Sequence, residues 1–75
     1  MAQGVPPPPP RMTSDSAEYC NHLGLEFTRA LRSHPQASPD ARLLADEGSG
    51  QCGRGHYRAG VMRLRRALKM LRSGP

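Results

Sequence analysis

Apolar residues recur along this chain in three stretches at helical spacing, which predicts an all-α protein. In the first stretch Cys20, Leu23, Phe27, Ala30 and Leu31 share one face of a helix over about 15–33. Asp15 and Glu18 have the spacing of a capping box at its start, and Arg29 and Arg32 suit its negative end. His34-Pro35 should end it, because proline disfavours helical geometry in the residue before it. Ser38-Pro39-Asp40 restarts the pattern: a serine cap, a proline at the first helical position and an acid at the positive end. The second helix is expected over about 39–52, with Ala41, Leu44, Ala45, Gly48 and Cys52 on its apolar face. Gly48 and Gly50 make it the weakest of the three by propensity, and Gly48 reads as a point of close approach to a neighbour. Gly53-Arg54-Gly55 is a turn with glycine available for a left-handed cap. The third helix, about 56–72, is the clearest. Tyr57, Gly60, Val61, Leu64, Ala67, Leu68 and Leu71 fall within about 120° of its arc, and Ser73-Gly74-Pro75 stops it.

The architecture expected from these elements is a three-helix unit over residues 13–75. Its first helix packs on a helix-turn-helix formed by the other two. Residues 1–12, with Pro6 to Pro10 in a row, are expected to form a disordered proline-rich arm. A functional use for that arm would be as a ligand for an aromatic groove. The helical part must fold on little apolar area: the 75 residues include no Trp, one Phe and two Tyr. A core this thin usually needs a staple or a partner.

Charge divides the chain. All six acids lie between residues 13 and 50, against three arginines. Residues 51–75 carry seven bases and no acid. On the third helix Arg58, Arg65, Lys69 and Arg72 form a ridge on one flank, with Arg63 and Arg66 further round. Such a face is ordinarily solvated, pairing weakly with acids such as Glu26, Asp46 or Glu47. It is also where a polyanion or an acidic partner would bind.

Cys20 and Cys52 lie on the apolar faces of their helices, equidistant from residue 36 in the connecting loop. Antiparallel packing brings them level. A disulfide there would stabilise by roughly 3–4 kcal/mol through loop-closure entropy; the alternative is two buried thiols. No secretory signal or membrane span is visible, so the expected compartment is the cytoplasm by default. A disulfide together with a misassigned start, Met12 being another candidate, would move it to the periplasm or outside. Zinc is not expected, although Cys20, His22, Cys52 and His56 are suitable ligand types. Cys20 and His22 point to nearly opposite sides of one helix, and no metal-ligand spacing is present. No nucleophile–base–orienter set emerges either, so neither catalysis nor a cofactor is expected.

The second and third helices resemble a single tetratricopeptide repeat. Leu44 falls at a large apolar site of that repeat and Gly48 at its small site. Gly55-x-Tyr57 opens the second helix of the hairpin; Gly60 stands for the usual Ala, Leu64 fills a large apolar site and Ala67 the last small one. Glu47 and Gln51 depart from the pattern, standing where a leucine and an aromatic are usual, and the terminal proline is missing at Arg72. The run Gly55-His56-x-Arg58-x-Gly60 behind two cysteines is also similar to small bacterial proteins with no activity attached. The resemblance implies protein binding or assembly, and a single repeat implies that another surface must cover its faces.

Three functions follow as expectations: a non-enzymatic module that binds a protein or itself; a nucleic-acid binder using the third helix; and a membrane-surface peptide. The second is weakened because a DNA-reading helix-turn-helix wants an apolar residue where Arg54 or His56 stands. The third is disfavoured because the apolar stripe is needed to close the fold.

Overall fold

A computed structural model describes residues 16–73 as three α-helices: α1 (Ala17–Ser33), α2 (Pro39–Gly53) and α3 (Tyr57–Ser73). No strand occurs among the described residues. The proline-rich arm and Asp15 lie outside them.

The start of α1 corrects the expected capping box. Ser16, in extended backbone, is the cap, and its Oγ accepts the Tyr19 N–H at 3.1 Å. That sets the helix start at Ala17 and puts Tyr19, not Glu18, at the third helical position. Glu18 still sits in the first turn, where its charge suits the dipole. The other end follows the sequence: the His34 N–H reaches back to the carbonyls of Ala30 and Leu31, and Pro35 turns the chain. Ser38 caps α2 through the Ala41 N–H at 3.2 Å, with Pro39 at the first position.

The α2–α3 turn closes as a Schellman motif. The His56 N–H bonds the Gln51 carbonyl at 2.8 Å and the Gly55 N–H bonds the Cys52 carbonyl at 3.0 Å. Gly55 takes φ +85°, a left-handed conformation that a Cβ disfavours.

Helix α3 packs against both of the others, whereas α1 and α2 touch each other only sparsely. Its buried stripe is Gly60, Val61, Leu64, Ala67, Leu68 and Leu71. Against this stripe α1 sets Cys20, Leu23 and Phe27, with Ala30 and Leu31 half-buried. Helix α2 contributes only small buried residues, Ala41, Ala45 and Gly48, with Leu44 and Cys52 half-buried. No polar or charged side chain is buried among the described residues.

The small residues explain how α2 holds despite two glycines. A Cβ on Gly48 would stand 2.9 Å from both the Gly60 carbonyl oxygen and Leu64 Cγ. A Cβ on Gly60 would meet the Gly48 oxygen at 2.7 Å and would collide with Cys52 Sγ. The two backbones therefore meet glycine to glycine. That close approach leaves no room for a methyl group at Gly60.

Candidate functional site

The two cysteines come together. Cys20, held in the first half of α1, and Cys52, near the end of α2, place their sulfurs at disulfide distance with Cα atoms 6.1 Å apart. The pair stands between α1 and α2, two helices that touch each other only sparsely. Cys20 is buried and also lies 3.7 Å from the Tyr57 carbonyl oxygen, which gives a reduced thiol an acceptor. Cys52 is half-buried and opens with Cys20 onto a groove of about 650 Å³ between α1 and α2. A small reductant therefore has a route to the pair.

The six cations expected to contact a partner divide. Arg65, Lys69 and Arg72 line a groove of about 370 Å³ between α1 and α3, with Tyr19, Leu23 and Leu68 providing its apolar lining. Spacings of four and three residues place all three cations on the α1-facing flank of α3. Arg58 is exposed on the same flank but outside that groove, beside Met62 and His56. Arg66 is exposed toward the outer side of α3. Arg63 is half-buried and donates to the Ala59 carbonyl of its own helix at 3.3 Å.

One acid enters the groove. Glu26 meets Arg72 at 3.8 Å and His22 at 3.5 Å, and His22 stacks on Tyr19 with ring planes 13° apart. These are exposed contacts, worth less than about 1 kcal/mol each. Among the described residues, Glu26 is the only acid that pairs with the basic ridge. Asp46 and Glu47 make no ion pair among the described residues, and neither do Arg65 and Lys69. His34 and His56 are exposed, and no group of three or more metal-binding side chains gathers among the described residues. No helix among them is long and apolar enough to cross a membrane.

No family model, curated protein or solved structure matches this chain.

Two features of the site escaped the sequence pattern. Tyr19 and Glu26 belong to the groove because α1 lies beside the edge of α3 that carries Arg65, Leu68 and Arg72, a rotation that periodicity along α1 does not specify. Leu43, 58% exposed, lies off the buried face of α2. Its signal was available: an apolar residue out of register, with acids three residues before it and three and four after it.

Proposed function

We propose that the protein is a non-enzymatic interaction module that holds a protein partner through the α1/α3 groove. The observation that carries this is the lining of the groove. An apolar bed formed by Tyr19, Leu23 and Leu68 is edged by Arg65, Lys69 and Arg72, and Arg65 and Lys69 pair with no carboxylate among the described residues. A bed with a charged edge suits a side chain-bearing segment that carries apolar and acidic groups together. The tetratricopeptide-like hairpin, with small residues at its crossing, supports the same use. The proposal takes Cys20 and Cys52 as oxidised, which removes both thiols from nucleophilic chemistry and places the chain in an oxidising compartment.

Nucleic-acid binding is the second reading, favoured by the six cations of α3 and by the absence of acid on that helix. The apolar bed of Tyr19, Leu23 and Leu68 counts against it, since a phosphate backbone has no apolar group to lay there.

The test is affinity capture with the full oxidised chain and with R65E/K69E. We expect a protein partner that survives nuclease treatment and is lost with the variant. Retention on DNA at low salt, falling steeply as salt rises and abolished by R65E/R66E, would instead establish the second reading.

A further inference from the structure

The face of α2 that points away from the core has the shape and charge that the groove lacks. Asp40, Leu43, Asp46 and Glu47 lie within about 120° of arc, opposite the buried Ala41, Ala45 and Gly48. All four are exposed. The one cation nearby on α2, Arg42, donates to the Pro35 carbonyl at 3.3 Å and makes no ion pair with these acids. The acids thus flank an exposed leucine and have no partner cation among the described residues.

We infer that this α2 face docks into the α1/α3 groove of a second copy of the chain. Leu43 would seat on the bed of Tyr19, Leu23 and Leu68, and the acids would face Arg65, Lys69 and Arg72. The lengths agree: Asp40 to Glu47 and Arg65 to Arg72 each advance about 10.5 Å along a helix axis. One chain cannot satisfy itself in this way. Its α2 packs on α3 through the opposite face, and no α2 residue lines the groove. The contact joins two different patches, so it is heterologous. It builds a ring or an open chain rather than stopping at a two-fold dimer. The arrangement rests on the interaction-module reading and names its partner.

Sedimentation velocity of the full oxidised chain tests it. At low ionic strength the average sedimentation coefficient should rise with concentration and pass beyond the dimer. It should fall to the monomer value in about 1 M salt, where screening acts within about 3 Å. D46R/E47R and R65E/K69E should each weaken association by about tenfold or more. An equimolar mixture of the two variants should associate again, because each supplies the charge that the other has reversed. Circular dichroism of each variant checks that the helices persist. Wild-type protein that stays monomeric at millimolar concentration overturns the inference, as does a mixture of folded variants that fails to reassociate. Either result leaves the capture experiment free to return a different protein partner. Failure of that capture too would remove the interaction-module reading itself.

Discussion

The two surfaces of α3 are covered by opposite means. On one side α2 comes in with alanines and glycines, and the backbones meet at Gly48 and Gly60. On the other side α1 stands off and fills the space with Leu23 and Phe27. The α2 contact depends on the absence of side-chain atoms, and the α1 contact depends on their presence. A short chain with one phenylalanine cannot cover both sides with large residues. It spends its bulk on α1 and uses proximity for α2, where dispersion between closely spaced atoms replaces buried side-chain area. The two interfaces should therefore fail in response to opposite substitutions.

The largest effect should come from Phe27→Ala, which empties the α1 side. A loss of about 3–5 kcal/mol is expected, much of the stability available to a domain of this size. Amide exchange in α1 should rise before that in α2 and α3. Equal loss of protection in all three helices would mean that α1 is not a separable layer. Next, removing the proposed Cys20–Cys52 bond by reduction or by Cys20→Ala with Cys52→Ala should cost roughly 3–4 kcal/mol in a denaturant titration. An unchanged midpoint would show that the sulfurs are not joined in the native protein.

On the α2 side, adding atoms should do the damage. Gly60→Ala places a methyl against the Gly48 carbonyl oxygen and Cys52 Sγ, so about 1–3 kcal/mol should be lost to overpacking. Gly48→Ala should cost somewhat less, since the atoms nearest its would-be Cβ stand at 2.9 Å, farther than those at Gly60. A neutral Gly60→Ala would show that the helices separate easily, contrary to the close approach described. The smallest effect is a gain. Gly24 has no heavy atom within 4 Å of its would-be Cβ, so Gly24→Ala should stabilise α1 by about 0.8–1 kcal/mol through helix propensity. A rise in thermal midpoint checks it.

Most of the fold was legible because each helix carries its own punctuation. Ser38-Pro39-Asp40 set the start of α2, Pro35 the end of α1, and the apolar stripe of α3 named its buried face. Gly48 could be read as a contact point because glycine on an apolar face otherwise weakens a helix for no return. At the start of α1, Asp15 and Ser16 are both good caps by residue type, and the pattern does not say which one is the cap; Ser16 is. The site was less legible. That Cys20 and Cys52 meet follows from counting back from the loop. That Arg65, Lys69 and Arg72 share a groove, whereas Arg58, Arg63 and Arg66 do not, depends on where α1 lies across α3. The pattern of one helix does not encode the azimuth of its neighbour. Leu43 is hard to single out by periodicity because Leu44 satisfies the same helix turn from the buried side.

The segment from His34 to Ser38 is exposed except for half-buried Ala37, and it lies between the two cysteines in sequence. If the proposed Cys20–Cys52 bond is formed, a protease that cuts the backbone there would leave a nicked molecule whose two pieces migrate together until a thiol reagent is added. Damage at the most accessible loop would change the connectivity of the chain without dispersing its helices, so the oxidised form should outlast the reduced one wherever peptidases are abundant.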